Sequence, residues 1–106
     1  MQITDVKIRR LMLTGRLRAV ISVTIDDMIA IHDIKVVRGE ERLFVAMPSR
    51  KDDNGIFRDI VHPITPAARK MLEESILEAY ERQTALLAAE EESEAMSAEA
   101  ENAYIE

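Results

Sequence analysis

The sequence contains no cysteine. That excludes a disulfide framework, a thiolate zinc site and a cysteine nucleophile. Aromatic residues are nearly as scarce. Phe44, Phe57, Tyr80 and Tyr104 are the whole set, so the core must be aliphatic. The longest apolar runs reach about five residues, against roughly 20 for a bilayer span. No apolar signal core follows the N-terminal charges, so the expectation is a cytoplasmic chain without membrane insertion. Glycine and proline vanish after residue 66: Gly15, Gly39, Gly55, Pro48, Pro63 and Pro66 all lie no later than that. A glycine-rich phosphate loop, a dinucleotide fingerprint, a Gly-x-Ser-x-Gly elbow and an Asp-x-Asp-x-Asp-Gly calcium loop are all missing. No cofactor is expected.

What is present is 106 residues, a length that fits one domain. The formal net charge is -6, but it is unevenly spread. Residues 1–70 hold 13 Lys/Arg and 9 Asp/Glu, and residues 71–106 hold one Arg and 11 Glu. A basic body attracts phosphate, and an acidic end repels it.

The first 64 residues are cut into short runs rich in β-branched side chains, which predicts strands. Residues 2–13 and 16–26 flank Thr14-Gly15. In the second run Leu17, Ala19, Ile21, Val23 and Ile25 recur at a period of two, giving one greasy face. A two-residue turn at Thr14-Gly15 pairs Ile8 with Ile21 and Val6 with Val23 on that face. Lys7, Arg9 and Arg18 fall on the opposite face, while Arg10 falls on the greasy one. Residues 28–38 form a third run, 42–47 a fourth and 56–61 a fifth. Asn54-Gly55 is a tight-turn signal, so the last two runs are expected to form a hairpin joined by residues 48–55.

Thr65-Pro66 opens a helix: threonine caps, and proline fits the first helical position. Leu72, Ile76, Tyr80, Gln83 and Leu87 lie at helical spacing, an apolar stripe with one polar gap. No stripe continues beyond Ala89. The expected architecture is therefore α+β: a meandering antiparallel sheet of about five strands, one long C-terminal helix and an acidic tail. The domain is expected at 1–89 and a frayed or disordered tail at 90–106. So thin a core, with open sheet edges, favours a homodimer.

His32 and His62 each have an aspartate nearby in sequence, Asp33 and Asp59. A metal centre needs three or four converging ligands, and catalysis needs an activated nucleophile. Neither pattern is met, which disfavours a metal-dependent hydrolase or any other enzyme. The basic residues carry more information. Arg50-Lys51 lies in the hairpin connection, Arg58 on the next strand, and Arg69-Lys70 in the first helical turn, where helix N-termini attract phosphate. These five are expected to form one phosphate-binding surface. The competing reading is a solvated face, with Asp52-Asp53 neutralising Arg50-Lys51, and Glu73-Glu74 pairing with Arg69-Lys70.

Several blocks resemble the SpoVG family, the stage V sporulation protein G or septation proteins. They are Arg18-Ala19, residues 22–26 (Ser-Val-Thr-Ile-Asp) and residues 32–36 (His-Asp-Ile-Lys-Val). The strongest are residues 43–49 (Leu-Phe-Val-Ala-Met-Pro-Ser) and 55–64 (Gly-Ile-Phe-Arg-Asp-Ile-Val-His-Pro-Ile). The resemblance runs over residues 1–82. It implies a small bacterial cytoplasmic regulator linked to septation and cell division and, in spore formers, to sporulation. It also implies a dimer that binds DNA and, in some members, RNA. Arg50-Lys51 matches the basic pair after the family's Met-Pro-Ser. The chain departs from the family in its short Thr14-Gly15 turn and its acidic extension. The runner-up reading is a protein-interaction adaptor acting on unidentified division proteins.

Overall fold

The computed structural model describes the backbone of residues 1–105 and the side chains of residues 1–90. Apart from Glu90, the side chains of the acidic tail expected at 90–106 lie outside the described residues.

Four antiparallel strands run in chain order, β1 (Ile3–Leu11), β2 (Leu17–Ile25), β3 (Ile29–Arg38) and β4 (Leu43–Ala46). A separate two-stranded ribbon follows, β5 (Ser49–Lys51) with β6 (Phe57–Asp59), and then α1 (Pro66–Ile105). The α+β class and the meander hold, and the strands divide into a sheet of four and a ribbon. The ribbon's first strand lies inside the predicted hairpin connection. Pro48 is the reason: it lacks a donor N–H and ends β4, so the chain restarts as a new pair.

Both predicted cross-strand pairs form, Val6 with Val23 and Ile8 with Ile21. The turn beyond them is wider than two residues. The Met12 N–H donates to the Arg18 carbonyl at 2.8 Å, so the loop before β2 spans residues 13–16, with Gly15 at φ +89°. A bulge between Ile8 and Arg10 absorbs the difference. It advances the strand by one residue, so Leu11, opposite Ala19, joins the core while Arg10 sits opposite Val20. Arg10 is thus moved off the greasy face, contrary to the simple alternation.

Asp26 and Asp27 close the β2–β3 hairpin at φ +52° and +55°. Positive φ at both central residues matches the right-handed twist of the flanking strands. The Gln2 N–H donates to Asp26 Oδ1 (2.7 Å), and the Asp27 N–H to Thr4 Oγ1 (3.0 Å), tying the turn to β1.

Ala19, Ile21, Val23, Ile34, Val36, Val45 and Met47 supply the sheet side of the core, and Leu72, Ile76 and Tyr80 the helix side. The helical residues are the first three of the predicted stripe; Gln83 is exposed. Fully burying each Ile or Val contributes about 1.5–3 kcal/mol. The helix begins as predicted: Thr65 Oγ1 accepts the Ala68 N–H at 3.1 Å.

Candidate nucleic-acid interface

The ribbon is built around its turn. Lys51 pairs with Phe57, Arg50 with Arg58 and Ser49 with Asp59. The Asp52 N–H donates to the Ile56 carbonyl (2.9 Å), and the Gly55 N–H to the Asp52 carbonyl (3.0 Å). Gly55 takes φ +79°, and Asn54 is not among the positive-φ residues. The turn therefore has three residues, with glycine in the left-handed position, and is not the two-residue form.

Asp52 holds this turn together. Its Oδ1 accepts the N–H groups of Asn54 (2.9 Å) and Ile56 (3.0 Å), and its Oδ2 accepts Arg58 Nε at 2.8 Å. The Arg58 guanidinium and the two backbone N–H groups hold its carboxyl below the usual carboxylate range. Asp52 is thereby occupied by Arg58. Among the described residues, no carboxylate forms an ion pair with Arg50 or Lys51. Both are exposed. The Lys51 ammonium lies 5.8 Å from the centre of the Phe57 ring, a cation–π contact worth about 0.5–1 kcal/mol at an exposed site.

The other two predicted cations sit on a different element. Arg69 pairs with Glu73 at 3.2 Å and Lys70 with Glu74 at 3.9 Å, both at i,i+4. The structure thus joins Arg50, Lys51 and Arg58 on one ribbon. Arg69 and Lys70 instead lie at the start of a helix that packs on β1 and β4.

Sequence reasoning passed over a further group. Lys7 pairs with Ser22, and Lys35 with Val20 and Ala46, on the side of the sheet away from α1. Arg10, through the bulge, joins them. Ser22 is 7% exposed, and its hydroxyl lies 3.1 Å from Arg9 Nε and 2.8 Å from His32 Nδ1. The signal that could have found this group is the charge at Lys7 and Arg9, out of phase with the apolar period. His62 Nδ1 lies 3.2 Å from the Pro63 carbonyl. Among the described residues, no three His, Asp or Glu side chains converge on a metal position, and no helix is long and apolar enough to cross a membrane.

The SpoVG family model matches residues 1–82, which include the sheet, the ribbon and the buried part of α1. The chain belongs to the SpoVG family. It is 52% identical over 85 residues to the "Putative septation protein SpoVG" of Desulforudis audaxviator, covering 80% of this chain and 97% of that one. The protein of the same name from Lachnospira eligens is 54% identical over 82 residues, covering 77% and 93% of the two chains. "Putative septation protein SpoVG 2" of Listeria monocytogenes is 48% identical over 102 residues, covering 93% of this chain and all of its own. That last match covers more of this chain than residues 1–82, so it extends along α1 beyond the segment that the family model matches.

Proposed function

We propose that this protein is a non-enzymatic, homodimeric regulator linked to septation and, in spore formers, to sporulation, and that it acts by binding nucleic acid. The names of its relatives support the link to septation. The observation that carries nucleic-acid binding is the ribbon: Arg50 and Lys51 are exposed and without an ion-pair partner among the described residues. A cation already neutralised by a carboxylate has little attraction left for phosphate. These two keep theirs. Contacts to the phosphate backbone position a protein on DNA or RNA without reading sequence.

A second reading, a protein-interaction adaptor, draws on the apolar residues of the same region. Phe57, Ile60 and Ile64 are 69%, 64% and 86% exposed. Titrating labelled duplex and single-stranded oligonucleotides at several salt concentrations separates the two. Phosphate binding weakens steeply with salt, by roughly 0.9 log units per log unit of salt for each phosphate neutralised on duplex DNA. An absence of binding, or binding indifferent to salt, would favour the adaptor.

A further inference from the structure

The sheet has one face under α1 and one face bare of it. Ile21, Val23, Ile34 and Val36 mark the covered face. The residues out of phase with them lie on the bare face, and the register places them in rows. Lys7 stands beside Ser22. Arg10, Val20, Lys35 and Ala46 form the next row across all four strands. Val37 and Phe44 pair in the row beyond, with Leu17 opposite Val37. Arg9, in the β1 bulge, folds onto this face to reach Ser22. Adjacent strands are about 4.8 Å apart, so Arg10 and Lys35 are separated by about 10 Å across the sheet.

Neutralisation distinguishes these cations from most of those predicted from sequence. The chain has 14 Lys and Arg. Arg58, Arg69, Lys70 and Arg82 are in ion pairs. Lys7, Arg9, Arg10 and Lys35 are exposed, and none forms an ion pair among the described residues. Asp5 on β1 and Asp33 on β3 pair with none of the four. Arg9 is held in place as well. Its Nε is engaged by Ser22, which His32 contacts from the other side. Among the described residues, both terminal nitrogens of the guanidinium are without a partner, and that is the fork that binds phosphate in bidentate fashion.

We propose that the helix-free face of the sheet, through Lys7, Arg9, Arg10 and Lys35, is a second phosphate-binding surface over which the backbone of a nucleic acid lies. The proposal rests on the nucleic-acid reading of this protein and adds a surface that the ribbon does not include. Charge selects the occupant. A second copy docked face to face would bring these cations against their own counterparts. A polyanion meets no such repulsion. Phe44, 38% exposed at the edge of the face, offers one ring for a base to stack on.

The test compares three full-length proteins by fluorescence anisotropy, with a labelled mixed-sequence duplex across a series of salt concentrations. They are the wild type, the ribbon variant Arg50→Ala/Lys51→Ala, and the face variant Lys7→Gln/Arg10→Gln/Lys35→Gln. The expected result is a salt slope lowered by roughly two to three in the face variant, with melting temperature and light-scattering mass unchanged. If the ribbon variant weakens binding and the face variant does not, this proposal is wrong and the ribbon reading stands. If the wild type binds nothing, both fall. A face variant that changes mass rather than slope marks an interface between copies and also overturns the proposal. Should the triple variant melt early, Lys35→Glu alone replaces it. It is expected to lower affinity several-fold at low salt and to converge on wild type at high salt, and no change at low salt counts against the proposal.

Discussion

Arg50 stands directly opposite Arg58 across the β5–β6 ribbon. Like charges so placed normally destabilise a strand pair. Asp52 relieves the conflict from one side only, taking Arg58 Nε at 2.8 Å. Arg58 is thereby neutralised, while Arg50 and its neighbour Lys51 keep their charge exposed. The competing solvated-face reading has Asp52-Asp53 neutralising Arg50-Lys51, yet Asp53 forms no ion pair among the described residues, and Asp52 forms one with Arg58 alone.

Replacing Arg50 and Lys51 by alanine is expected to weaken binding about equally for all nucleic-acid sequences. The salt slope should fall by roughly two, about one for each phosphate that the variant no longer neutralises. Anisotropy titrations on two unrelated duplexes check both statements. A weakening confined to one sequence would mean base readout instead.

Asp52 predicts an acid limb for the ribbon. Its folded-state pKa is lowered, chiefly by Arg58. A depressed carboxylate stabilises the fold above the unfolded-state value of about 3.9, and this contribution fades as pH falls through the lower folded-state value. Asp52→Asn should therefore reduce stability at neutral pH, and its difference from wild type should shrink as pH drops below about 4. Thermal melts across that range provide the measurement. A difference that is constant with pH would assign Asp52 a purely hydrogen-bonding part.

The proposed dimer has a candidate surface in Phe57, Ile60 and Ile64 and another in Leu86 of α1, 57% exposed. Light scattering at micromolar concentration should give twice the chain mass. Ile64→Asp, at a position 86% exposed, should leave the monomer folded and reduce the mass if the ribbon end is the interface. A wild-type monomer would rule out the dimer.

Ile76 is fully buried where α1 meets the sheet. Ile76→Ala removes apolar volume that the surrounding strands cannot fully reclaim, at a cost of about 2–5 kcal/mol. Urea denaturation should show a lower midpoint with little change in slope. Leu86→Ala, at a half-exposed site, should cost much less unless a second copy covers it.

The acidic segment bears on affinity through charge. Residues 90–106 hold seven Glu and no Lys or Arg. Their negative charge is expected to lower the attraction of the whole molecule for phosphate through its long-range field. A chain ending at residue 89 should fold and should bind DNA more tightly at low salt, with the gain shrinking as salt screens it. Equal or weaker binding by the shortened chain at low salt would contradict this.

Local features are legible in the residues alone. Alternation in residues 17–25 sets which side chains face the core, so the pairs Val6–Val23 and Ile8–Ile21 could be read in advance. Helical spacing identified Leu72, Ile76 and Tyr80, and Thr65-Pro66 marked the helix start. The i,i+4 pairs Arg69–Glu73, Lys70–Glu74 and Glu78–Arg82 follow from one helix alone. The fold alone shows where that register breaks and which distant segments meet. The bulge at Arg9 exists because β1 must satisfy a wider loop and still keep Leu11 in the core. The polar Ser49-Arg50-Lys51 becomes a strand only because Phe57–Asp59 folds back onto it. Which cations stay unneutralised, and which share a face, is a question of distance between side chains far apart in sequence. Periodicity carries no information about that distance, because it records the direction of each side chain and not its neighbours across the sheet.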